Sequence, residues 1–97
     1  ETSFALSYTT LVKTGEITLD KLSELMTSKP ASLVNIECGK LEEGALADIT
    51  LVDLDRKYRI DKTKFFSKGK NTPFDGREVY GKVCCTIVDG RIKYKEV

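Results

Sequence analysis

The side chains able to do chemistry are few in this 97-residue chain, and none is histidine. That absence removes the commonest general base and the commonest metal ligand together. Glu42 and Glu43 could form an acid–base pair, but adjacent carboxylates ahead of a glycine turn read as solvated. Asp48 and Asp53 could ligate a hard cation, although Asp48 is better placed to cap the turn before a strand and Asp53 to end on its wet face. Cys84 could be a nucleophile, yet nothing in its apolar strand would activate it. Gly69 and Gly76 fit neither GxxxxGK[ST] nor GxGxxG, so no phosphate loop is present. No catalytic, substrate-binding or metal-binding residue is assigned, and no cofactor is expected on this chain.

Net charge is +1, but it is unevenly placed. Residues 1–55 carry four basic and ten acidic side chains, whereas 56–70 carry seven basic ones against Asp61 alone. A basic stretch with Tyr58, Phe65 and Phe66 interleaved could follow a nucleic-acid backbone. A solvated loop balancing an acidic half explains it as well, and no nucleic-acid partner is expected. There is no apolar run of about 18 residues, so no membrane span is expected, nor is there a signal-peptide pattern. Cys38, Cys84 and Cys85 include no CxxC, and neighbours on a strand point to opposite faces, so reduced core cysteines in a cytoplasmic protein are expected.

The elements that would position these residues change type along the chain. Phe4, Tyr8, Leu11 and Val12 fall on one helix face, and Gly15 is a natural C′ residue, which predicts a helix over about 3–14. Thr18 as N-cap, with Leu22, Leu25 and Met26 as the buried stripe, predicts a second helix from Leu19 to about Ser28. Pro30 stops it and opens a short third helix over 31–35. After Gly39 the period becomes 2. A strand is expected over 49–54, a short one near 58–60, and a hairpin over 83–95 turning at Asp89-Gly90. That turn would pair Ile87 with Ile92 and Cys85 with Tyr94. Two helices and about four strands make an α+β chain with a thin core. The division is a helical segment, 1–38, and a strand segment, 39–97.

Several segments together resemble a known family. Glu1-Thr2-Ser3-Phe4-Ala5-Leu6, Tyr8-Thr9, Leu11-Val12, Gly15, Ile17-Thr18-Leu19 and Pro30-Ala31 resemble the C-terminal part of the dihydroorotases, in the amidohydrolase superfamily. So do Gly44, Ala47-Asp48-Ile49 and Asp53, then Ser67-Lys68, Asn71-Thr72-Pro73-Phe74, Gly76, Gly81-Lys82-Val83, Thr86-Ile87-Val88 and Gly90. The opening Glu-Thr and the Asn-Thr-Pro-Phe segment are the most specific of these.

The resemblance implies that residues 1–38 end the helical layer of a (β/α)₈ barrel. Residues 39–97 would give strands to a composite β-sandwich. It implies an enzyme that interconverts N-carbamoyl-L-aspartate and L-dihydroorotate in pyrimidine biosynthesis, with zinc held by an early His-x-His, a carboxylated Lys, further His and an Asp. All of these lie upstream of Glu1 in the family pattern. A chain opening on Glu and lacking them is expected to be a piece of that enzyme, inactive alone, whose partner is the rest of the parent chain. Phe4, Tyr8, Leu11, Leu22, Leu25 and Met26 would then lack barrel partners, and self-association is expected. Two other readings stand beside it: a non-catalytic dihydroorotase-like interaction module, and a piece of an allantoinase or hydantoinase.

Overall fold

The computed structural model describes residues 1–96 as an α+β arrangement. Three short helices, α1 (Ser3–Ser7), α2 (Leu19–Met26) and α3 (Ser28–Leu33), precede three strands, β1 (Ile49–Arg59), β2 (Glu78–Val88) and β3 (Arg91–Lys95). The strands form one antiparallel sheet in the order β1-β2-β3. Three strands replace the four expected, because the stretch near 58–60 is the end of β1. Asp53 and Lys57 bound an irregularity in the β1–β2 pairing, where Asp53 Oδ1 accepts from its neighbour Asp55 N–H at 3.2 Å. Pairing then resumes at Lys57–Tyr80, so one strand bends where the sequence suggests two.

The first helix begins where expected, but its second half is π-helical over Tyr8–Val12, with Lys13 N–H donating to Tyr8 C=O at 3.0 Å. The wider turn lets consecutive residues face the sheet together. Tyr8 lies against Gly81 of β2, and Tyr80 N–H donates to Thr9 Oγ1 at 2.8 Å. Gly81 has φ +94°, and a Cβ there would lie 3.2 Å from the Phe4 ring and 3.4 Å from that of Tyr8. Those rings stack with centroids 5.9 Å apart. Beside this contact Ala5, Ile60 and Val79 form the buried core, flanked by Leu6, Tyr58, Phe65 and Phe74.

Thr18 caps α2 as expected, its hydroxyl accepting from Lys21 N–H at 3.1 Å. The third helix differs from expectation. It starts at Ser28 rather than at 31, because Thr27, at φ −126° and ψ −83°, makes the break and Pro30 sits within the first turn. The missing N–H of proline has no intrahelical acceptor there, so nothing is lost. Leu22 and Ala31 are buried at this corner, whereas Leu25 and Met26, expected in the same stripe, are exposed.

The β2–β3 turn matches its prediction, with Asp89 at φ +50° and Gly90 at φ +73°, both left-handed as a type I′ turn requires. Ile87 pairs with Ile92 as expected, but a register shift places Thr86 opposite Tyr94 and Cys85 opposite Lys95. The extra residue is Lys93, and from there the hairpin's outer positions exchange faces. Cys85 is buried and Cys84 half-buried, but Cys38 is exposed in the segment before β1, so it is no core residue.

The helix–sheet contact generates a stability prediction. Gly81→Ala should cost about 2–4 kcal/mol, combining left-handed strain with displacement of the Phe4 and Tyr8 rings. Gly90→Ala, at a positive φ but with nothing within 4 Å, should cost only about 1–2 kcal/mol. Urea unfolding of both variants at unchanged slope would separate strain from crowding.

Candidate functional site

The sequence candidates do not converge. Glu42 and Glu43 are exposed in the turn before Gly44, and they line a depression of about 680 Å³ with Glu37, Cys38, Lys40 and Asp48. Asp48 does cap a turn, but a distant one: its Oδ1 accepts the Asp89 N–H at 2.8 Å, tying the hairpin to the start of β1. Asp53 is exposed, and its Oδ1 accepts the Asp55 N–H at 3.2 Å. Cys84 Sγ is 3.4 Å from the Lys82 carbonyl, to which it donates. Gly69 C=O accepts from the Ser67 hydroxyl, and Gly76 N–H donates to Ile60 C=O at 2.7 Å, closing the loop between β1 and β2.

Among the described residues no group of three or more His, Cys, Asp or Glu side chains could hold a metal ion. The described residues therefore do not fit a zinc centre.

Three of the seven basic side chains in the 56–70 stretch form ion pairs. Arg56 meets Glu96 at 2.6 Å, while Lys57 and Arg59 share Glu78 at 2.9 and 2.8 Å. Lys70 donates to the Phe65 carbonyl. Of the interleaved aromatics, Tyr58 and Phe65 are half-buried, and Phe66 is 82% exposed with its ring edge-on to Tyr94.

An open groove of about 800 Å³ runs across one face of the sheet. Tyr58, Lys82, Thr86 and Tyr94 form its floor, and the 61–66 loop with Glu1 and Thr2 forms its wall. Lys82 Nζ sits 4.5 Å from the centroid of the Tyr58 ring. Burial pushes the Tyr58 hydroxyl pKa above its ordinary value. Tyr58, Phe65 and Phe66 stand out in the sequence as aromatics within the basic stretch, but the groove they share with Lys82, Thr86 and Tyr94 does not. Gly81, an isolated glycine inside a strand pattern, signals the close approach of the first helix rather than the groove.

The amidohydrolase family model matches residues 1–93. The chain belongs to the amidohydrolase family. Dihydroorotase from Clostridium botulinum is 46% identical over 96 residues, and dihydroorotase from Bacillus licheniformis is 51% identical over the same length. Each match takes in 99% of this chain but only 24% and 22% of the relative, so the chain spans less than a quarter of the curated relatives it matches. Among solved structures, the L-hydantoinase of Arthrobacter aurescens superposes with a TM-score of 0.87 at 35% identity, covering 94% of this chain and 21% of that one. Dihydropyrimidinase from Brevibacillus agri superposes with a TM-score of 0.89 at 24% identity, over 94% of this chain and 20% of that one, and shows the fold alone. Amidohydrolase membership agrees with the sequence resemblance. No helix among the described residues is long and apolar enough to cross a membrane.

The shared Glu78 yields a pH prediction. Hydrogen bonding from Lys57 and the charges of Lys57 and Arg59 hold the Glu78 carboxyl below 4.5, and the same hydrogen bond holds Lys57 above 10.5. Stability from Glu78 is therefore present above its unfolded pKa and lost as pH falls through the folded one. Stability from Lys57 is present below its unfolded pKa and lost as pH rises through the folded one. Glu78→Gln should flatten both flanks of a urea-midpoint-against-pH profile while changing neutral stability little, since both partners are solvent-exposed. An unchanged acid flank would show that the pair does not persist in solution.

Proposed function

We infer that this chain is the C-terminal part of a dihydroorotase, the cytoplasmic zinc amidohydrolase that interconverts N-carbamoyl-L-aspartate and L-dihydroorotate. The observation that carries this reading is identity of 46–51% to dihydroorotases along 99% of the chain. In the parent the helical segment 1–38 closes the barrel's outer layer, and 39–97 supplies strands to a sandwich completed by other parts of the chain. Catalysis belongs to residues outside these 97. The chain's own contribution is structural, holding the last helices against the sheet, and its first partner is the remainder of the parent.

A second reading keeps the family and changes the ring. The hydantoinase superposition at 35% identity favours a hydrolase of a related cyclic amide. The higher identity to dihydroorotases favours the first reading over it.

The complete parent protein tests both readings. It should hydrolyse dihydroorotate and leave hydantoin untouched, lose activity to a chelator and regain it with zinc. Activity on hydantoin alone would favour the second reading, and an upstream sequence without His-x-His would sink both. The 97-residue chain should show no turnover of either ring. With Leu25, Met26, Leu33, Val34 and Ile36 exposed, it should self-associate and bind an apolar dye. A monodisperse monomer without dye binding would contradict the expected missing partner.

A further inference from the structure

Two segments stand out in the sequence without entering any chemistry: the opening Glu1-Thr2 and the Ser67–Phe74 stretch. The structure joins them. Glu1 Oε1 accepts the Ser67 N–H at 2.9 Å across 66 positions of chain.

The loop between β1 and β2 is firmly tied at its base. Ile60 N–H donates to Arg77 C=O at 3.0 Å, Gly76 N–H to Ile60 C=O at 2.7 Å, and Lys62 N–H to Asp75 Oδ1 at 2.9 Å. Phe65 and Phe74 are half-buried against the core. Between them, residues 66–71 are exposed, and their remaining bonds stay within the loop: Ser67 hydroxyl to Gly69 C=O and Lys70 to Phe65 C=O. This tip therefore reaches the rest of the molecule through the Glu1 carboxylate and the Phe66–Tyr94 edge contact, whose centroids are 5.8 Å apart.

We propose that Glu1 is a latch whose carboxylate pins the 65–74 loop to the start of α1, fixing the groove wall between the helical layer and the sheet. Glu1 precedes the helix that lies on Gly81, and Phe66 touches β3, so the loop tip bridges the two layers at the end of the groove. The cationic side chain facing the Glu1 carboxylate is Lys70, and backbone hydrogen bonds, from Ser67 first and then Phe66, lower the Glu1 pKa. The latch is closed at neutral pH and opens in acid. It is a positioning device, independent of which ring the parent hydrolyses.

Two measurements on the complete parent protein test it. In an NMR titration the Ser67 amide proton should shift with an apparent midpoint below 4.5, the ordinary glutamate value, and Glu1→Gln should abolish the shift. In trypsin digestion, Glu1→Ala should speed cleavage after Lys64, Lys68 and Lys70 about fivefold relative to cleavage after Lys40, which lies outside the loop. A Ser67 amide at its random-coil position, or one indifferent to Glu1, would overturn the proposal. So would an unchanged cleavage ratio, or equal acceleration at Lys40, which marks general loosening rather than release of a latch.

Discussion

The approach of the first helix to β2 over Gly81 is the contact on which the rest of the structure depends. A strand residue with a side chain would hold the Phe4 and Tyr8 rings away and draw Ala5 out of reach of Ile60 and Val79. The π-turn contributes from the other side, because it brings Tyr8 and Thr9 to the sheet together. Thr9 then satisfies the Tyr80 N–H that the left-handed kink at Gly81 takes out of the regular ladder. Backbone geometry, aromatic packing and hydrogen bonding are thus settled at one place. The core beside it is small, so the dependence is strong.

Local chemistry explains which elements could be read in advance. Asp89-Gly90 determines its own turn, since both residues tolerate positive φ and the flanking strands need that twist. Thr18 determines its cap for the same kind of reason. Where the strands depart from the sequence pattern, a long-range partner overrides a local one. The run Asp53–Arg56 looks like a break between strands, but β2 supplies pairing on both sides of it. The shift that places Tyr94 opposite Thr86 has no marker in the sequence, because Lys93 is as acceptable in a bulge as in a ladder. Pro30 was placed at the first helical position because that is its commonest site, while the break belongs to Thr27.

The candidate site was legible mainly as a deficit. Without histidine, and with carboxylates that bind local backbone N–H groups, the chain offered little to converge. Family membership, by contrast, was legible from segments that do scaffolding. Asn71–Gly76 turns the chain back from β1 to β2, Gly81 admits the helix, Asp89-Gly90 turns the hairpin, and Asp48 ties that hairpin to the start of β1. These positions tolerate few residue types because their backbone geometry is restrictive. Scaffolding residues alone can therefore identify the family. The groove was invisible for the opposite reason: Tyr58, Lys82 and Tyr94 are ordinary strand residues until the fold sets them side by side.

The distribution of exposed apolar side chains argues that the two halves are unequal in what they lack. In the sheet half the large apolar residues exposed, such as Leu51, Val88 and Ile92, are scattered along strand edges and ends. From Leu33 to Leu46 they come in succession, with Leu33, Val34, Ile36, Leu41 and Leu46 each more than half exposed. Isolated apolar residues are common on any surface, whereas a succession on one segment is a face awaiting cover. That segment follows α3 and carries the chain across to β1, and Gly39 within it lies so close to Thr27 and Ser28 that a Cβ would meet their backbone at 3.0 Å. It is thus fixed on one side by the helix corner and bare on the other. The dihydroorotases that this chain resembles are about four times its length, and the crossing from helices to strands is where this chain leaves a succession of large apolar side chains uncovered.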